Sequence, residues 1–197
     1  MREITKAEMN VILTLVKSPE IDYNGNNLAK AIGITPTGAL KILKCLEKEN
    51  ILKSKKIGKA VIYKINTQDN YARNHVSLIL AREKIYAKPK VKVWINELKK
   101  IKNADIVILF GSVLIKENPS DIDVVFVTDK KKFKRLQEEV EQINKINVKM
   151  IHPLYQGFED IVINIKKRDN PLLSAIKGII VYGEQNFLEV YNESRKE

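Results

Sequence analysis

Apolar residues recur at three- and four-residue intervals along the first fifty positions: Met9, Ile12, Leu13 and Val16, then Leu28, Ala29 and Ile32, then Leu40, Leu43 and Leu46. That spacing predicts three amphipathic helices. Thr5 is placed to cap the first, which ends before Ser18-Pro19. The second runs from Asn26 or Asn27 to Ile32, where Gly33 stops it. Thr35-Pro36 restarts the chain, with a hydroxyl for free backbone amides and a proline pre-set for the first helical position, so the third helix should reach about Glu49. The period then changes to two. Ile51-Leu52-Lys53 and Ala60 to Ile65 read as strands joined by a basic, Gly-containing tip, Ser54 to Lys59.

Helical spacing resumes with Val76, Ile79, Leu80 and Ile85, is interrupted at Pro89, and continues with Val91, Trp94, Ile95 and Leu98. Trp94 reads as a core anchor and His75 as a surface histidine. Ala104 to Phe110 and Val124 to Val127 are nearly continuous runs of branched and aromatic residues, the mark of strands buried on both faces. A helix over Lys130 to Asn144, a third strand near Ile146 to Ile151, helices within 154–177 and a last strand over Gly178 to Gly183 follow. The stretch from Glu184 is too mixed to assign.

Composition adds a division. Of 197 residues, 35 are Lys or Arg and 24 Asp or Glu, a net of +11. Residues 1–66 and 67–102 each carry +6, and 103–197 carry −1. A basic front and a near-neutral back imply separate tasks, so we assign domains at 1–66 and 103–197 with a helical connector at 67–102. Cys45 is the sole cysteine, which excludes an intrachain disulfide and suits the cytoplasm. No run is long and apolar enough for a secretory signal or a membrane span, so no membrane partner is expected.

On the third helix Thr37, Lys41, Lys44 and Lys48 fall on one stripe, away from Leu40, Leu43 and Leu46. Ammonium groups in that pattern reach phosphates while a short polar side chain faces base edges. Lys55, Lys56 and Lys59 on the hairpin tip would meet adjacent phosphates. The order of helix, helix, Gly turn, helix and basic hairpin over residues 5–66 resembles a winged helix-turn-helix of prokaryotic transcription regulators. The resemblance implies binding of double-stranded DNA, often as a homodimer; its other use is protein–protein contact.

In the back half the first strand ends on Gly111-Ser112, and the second opens with Asp121-Ile122-Asp123. Alternation along a strand puts both carboxylates on one face, where they repel unless a cation lies between them, and such oxygen pairs suit Mg²⁺. Glycine lets backbone approach phosphate, and a serine at a turn offers hydroxyl and amide to phosphate oxygens. The string GSVLIKENPSDID, after an apolar strand, resembles the signature of minimal nucleotidyltransferases related to DNA polymerase β, over about residues 90–185. The implied fold class is α+β: a winged helix-turn-helix, a connector, and an α/β nucleotidyltransferase-like domain with a small mixed sheet.

By that resemblance Gly111, Ser112 and Lys116 would hold a nucleoside triphosphate, and Asp121 and Asp123 would be catalytic and bind Mg²⁺. A nucleoside monophosphate would pass to an acceptor, in some members a protein or toxin partner. The chain departs from the family at three places. Its spacer between Ser112 and Asp121 is shorter, Leu114-Ile115-Lys116 replaces the usual arginine-bearing segment, and Asn147-Val148-Lys149-Met150 offers no third carboxylate. Lys149, or else Asn147, is expected in that acid's frame, with its ammonium paired to Asp121 or Asp123. His152, Glu159 and Asp160 would substitute only if the third strand ran differently. Two readings follow: a Mg²⁺-dependent transferase tethered to a DNA-binding domain, or a transcriptional regulator whose second domain binds nucleotide or metal without turnover.

Overall fold

The computed structural model describes residues 3–196. The chain is α+β and divides into two compact units, one ending at Ile79 and the other spanning Leu80–Lys196.

The first unit opens with α1 (Lys6–Lys17), α2 (Gly25–Ile32) and α3 (Pro36–Lys48), followed by β1 (Leu52–Ile57), β2 (Ala60–Ile65) and the start of α4 (Asn70–Ile85). Thr5 and Glu8 form a reciprocal cap on α1: the Glu8 amide donates to Thr5 Oγ1, and the Thr5 amide donates to the Glu8 carboxylate at 2.9 Å. α2 begins earlier than its apolar spacing suggests, because Asn24 Oδ1 accepts from the amides of Asn26 and Asn27. Gly33 ends it in the left-handed region, φ 72°. Thr35 caps α3 through the Gly38 amide at 3.1 Å. The inner face of α3 is Ala39, Leu43 and Leu46; Leu40, expected inside, is exposed. β1 and β2 pair antiparallel from Leu52↔Ile65 to Ile57↔Ala60, and the Tyr63 amide donates to the Tyr23 carbonyl at the root of the ribbon. Three helices and a hairpin in this order form a winged helix-turn-helix.

The second unit contains the end of α4, then α5 (Pro89–Leu98), β3 (Ile106–Phe110), a 3-10 turn (Gly111–Leu114) and β4 (Ile122–Val127). After these come α6 (Phe133–Ile146), β5 (Ile151–Gln156), α7 (Phe158–Lys166), α8 (Asn170–Ala175), β6 (Ile179–Tyr182) and α9 (Glu184–Ser194). The mixed sheet has the order β5-β4-β3-β6: β3 is antiparallel to β4 and β6, and β4 is parallel to β5. Val91, Trp94, Ile95 and Leu98 of α5 and Leu136, Val140 and Ile143 of α6 share one core with Leu109, Val124 and Phe126 of the sheet. α8 and α9 pack on β3, so the central strands are covered on both faces, as their unbroken apolar runs require.

The third strand is shifted from the expected Ile146 to Ile151. α6 continues to Ile146, and the Asn144 side chain then captures Ile151, its Oδ1 accepting the Ile151 amide at 2.7 Å. Residues 147–150 are consequently a loop, and the strand begins only at Ile151. The unassigned C-terminal stretch is helical, α9, with Phe187, Leu188, Val190 and Tyr191 buried. Among the described residues no helix is long and apolar enough to cross a membrane, and Cys45 is a free, half-buried thiol.

Candidate functional site

Each unit carries one set of candidate residues. In the first, Thr37, Lys41, Lys44 and Lys48 are all exposed along α3, and Lys55, Lys56 and Lys59 are exposed on the wing. A cleft of about 660 Å³ lies between the N-terminus of α2, the first half of α3 and β2. Thr37, Leu40 and Lys44 line it from α3, and Lys59 and Val61 from the wing. Lys44 of α3 and Lys59 of the wing line the same cleft. A run of exposed ammonium groups beside a cleft is a surface that attracts a polyanion.

In the second unit, β3 delivers Gly111 and Ser112 to the end of the sheet where β4 begins. The antiparallel register sets Phe110 opposite Asp123, and the parallel register sets Asp123 opposite His152. Gly111 has φ 77°, and a Cβ added there would lie 2.2 Å from Asp123 Oδ2. Only glycine lets this carboxylate approach the turn so closely. The Ser112 amide donates to the Asp123 carboxylate. Ser112 Oγ is sealed from solvent with no hydrogen-bond partner.

Asp123 has its carboxyl raised above the ordinary range, first by burial and then by the neighbouring Asp121 charge. His152 and the Ser112 amide act in the opposite direction. His152 Nδ1 stands 3.7 Å from Asp121 Oδ2. Among the described residues no group of three His, Cys, Asp or Glu side chains is arranged to hold a metal ion. A cation at Asp121 and Asp123 would therefore take its remaining ligands from water or phosphate, which is how Mg²⁺ is commonly held. Two hard oxygen donors, Asp121 just before β4 and Asp123 on it, fit that ion.

Lys149 is not in the acid's frame. Its ammonium donates to Asn118 Oδ1 and the Pro119 carbonyl, fastening the loop before Asp121. Because the strand starts at Ile151, the side chain that faces the carboxylate pair is His152, which sequence reasoning admitted only under a different strand. Its signal was the Asn144-to-Ile151 capture, which apolar spacing does not display. Glu159 and Asp160 lie at the far end of the sheet, where Asp160 caps α7 through the Gly157 amide. Lys116 is exposed beyond the 3-10 turn, and its amide donates to the Ser112 carbonyl at 2.8 Å. A second cavity of about 700 Å³ opens at that far end, away from Gly111 and the aspartates.

No family model and no curated protein matches the chain. Among solved structures, the adhesin competence repressor AdcR from Streptococcus pyogenes aligns with TM-score 0.37 and 17% identity, over 51% of this chain and 69% of its own. Two variants of Lactococcus lactis ZitR align with TM-scores of 0.35 and 0.36 and identities of 16% and 14%, over 51% and 52% of this chain and 64% and 65% of theirs. Similarity this loose assigns neither a family nor a ligand.

Proposed function

We propose that the chain is a DNA-binding transcriptional regulator whose second unit binds a nucleotide together with Mg²⁺. The observation that carries the first part is the cleft in which Thr37 and Lys44 of α3 face Lys59 of the wing. A helix entering the major groove and a hairpin on the flanking backbone need this arrangement, with lysines on phosphates and a short polar residue near base edges. Pairing of two copies on adjacent half-sites would raise affinity and specificity. The test is duplex binding across a salt series. The triple variant Lys41→Ala/Lys44→Ala/Lys59→Ala should lower the slope of log K against log salt by roughly three units, about 0.9 for each phosphate contact. Absence of duplex binding at low salt, or an unchanged slope, refutes the reading.

The nucleotide reading rests on Gly111 set against Asp123 and on the unpartnered hydroxyl of Ser112. A buried hydroxyl without a partner costs roughly 1–3 kcal/mol, which a phosphate oxygen accepting from it would offset. Asp121 and Asp123 would hold Mg²⁺, which would supply positive charge against a phosphate group, and Lys116 would add its ammonium to that charge. Transfer of a nucleoside monophosphate to an acceptor is the stronger form of this reading. It is opposed by His152, which stands opposite Asp123 on β5 where a transferase would need a third carboxylate. Labelled ATP, GTP, CTP and UTP with Mg²⁺, beside Asp121→Ala/Asp123→Ala, separate the two forms. Label transfer lost in the variant assigns a transferase; calorimetric binding lost in the variant, without transfer in the parent, assigns a sensor.

A further inference from the structure

Leu40 is out of place on the outer face of α3. It is 39% exposed, although Ala39, Leu43 and Leu46 already complete the inner face. It sits three residues after Thr37 and four before Lys44, so the three share one side of the helix, and all three line the cleft below the wing. Its flank is Gly25 at the start of α2: a Cβ added there would come within 3.9 Å of Leu40 Cβ and Cδ1. Leu40 thus rests one flank on α2 and leaves the remainder of an aliphatic side chain open to a cleft that it shares with Lys44 and Lys59.

Its chemistry matches one feature of the major groove. The C5-methyl of thymine is the apolar mark there, and aliphatic side chains contact it. The opening turns of a recognition helix are the part that meets base edges, and Thr37 and Leu40 lie in those turns. Arginine, whose rigid fork suits guanine, is absent from the sequence between Arg2 and Arg73. We infer that Leu40 selects thymine, with Thr37 beside it on the base edges, while the lysines of α3 and the wing set position on the backbone. This inference rests on the DNA-binding reading proposed above.

The experiment uses the full chain and a random-sequence duplex pool. After selection, each thymine of an enriched duplex is replaced in turn by deoxyuridine, which removes only the methyl group. One or two replacements should weaken parent binding about fourfold each, the worth of burying a single methyl-sized group. Leu40→Ala should bind the thymine and deoxyuridine duplexes equally, and Leu40→Met should restore the difference. Circular dichroism checks that both variants stay folded, as an exposed position predicts. Retention of duplex with no enriched sequence, or enrichment indifferent to deoxyuridine in the parent, overturns the thymine reading and leaves DNA binding standing. The thymine reading also falls if Leu40→Ala keeps the parent's sensitivity. No retention of any duplex at low salt overturns both.

Discussion

Gly111→Ala tests the construction of the carboxylate site from its most constrained atom. The residue holds φ 77°, a conformation that costs an L side chain roughly 1–2 kcal/mol. The new methyl would also lie 2.2 Å from Asp123 Oδ2 and 3.0 Å from its Cγ. Those atoms are the free end of a side chain, so the carboxylate swings away and the backbone stays, leaving the Ser112 amide without its acceptor. That loss adds about 1 kcal/mol at a half-buried position, for a total near 2.5 kcal/mol. Asp123→Ala strips the same amide of its acceptor and should cost about 1 kcal/mol. In the double variant the amide is lost only once, so the cost stays near 2.5 kcal/mol instead of summing to about 3.5, a coupling of about 1 kcal/mol. Urea unfolding followed by the fluorescence of Trp94, buried in the same unit's core and the sole tryptophan, measures all three. Effects that add to within about 0.5 kcal/mol refute the argument, because the methyl and the carboxylate would then not compete for one space.

Two further outcomes concern the same carboxylates. Burial and Asp121 raise the Asp123 carboxyl, so the folded state holds this proton more tightly than the unfolded chain does. The resulting stabilisation is complete below the ordinary Asp range and is lost as pH rises through the raised value. In chelator, Asp123→Asn keeps the Ser112 bond without the charge. It should be more stable than the parent at pH 7, with the gap closing as pH falls through the raised value and gone below about 3.9; a variant less stable at pH 7 contradicts the assignment. His152→Asp should tighten Mg²⁺ binding about tenfold by calorimetry, since a third carboxylate strengthens a hard-cation site. Lys149→Gln, whose parent ammonium is committed to Asn118 and Pro119, should leave that affinity within about twofold. A large effect from Lys149 with none from His152 would reverse the register.

The legible parts of the fold are those written in local chemistry. Thr35-Pro36 names a helix start without help from any distant residue, and β3 and β4 declare double burial in their own composition. Gly111, Ser112, Asp121 and Asp123 were visible as a string, and the β3–β4 register brings that string together. What was hidden depends on contacts at a distance. The third strand's start is decided by Asn144 reaching over to Ile151, so Lys149 and His152 exchange the places that alternation alone suggested. Leu40 misled because an amphipathic count assigns every leucine inward, whereas Ala39 leaves room for the inner face to lie one residue over. In α9 the pattern was present, at Phe187, Leu188, Val190 and Tyr191, but was obscured by the charged residues around it.

The wing is anchored at one end alone. Leu52, Ile65 and the Tyr63–Tyr23 bridge bury its root, while every β1 residue from Lys53 to Ile57 is exposed and Gly58 turns in open space. β2 buries Ile62, Tyr63 and Ile65, so only the rungs beyond Ile62, Lys56↔Val61 and Ile57↔Ala60, have little to hold them beyond their own ladder. Opening from the tip therefore releases hydrogen bonds one rung at a time without disturbing the three helices, and amide protection along the ribbon should decline from Leu52 toward Ile57. Mechanically it is a tapered lever, stiff at Ile62 and Tyr63 and compliant at Lys56 and Lys59, so its charged end can search a volume of solution while its base stays registered to the helix beside it.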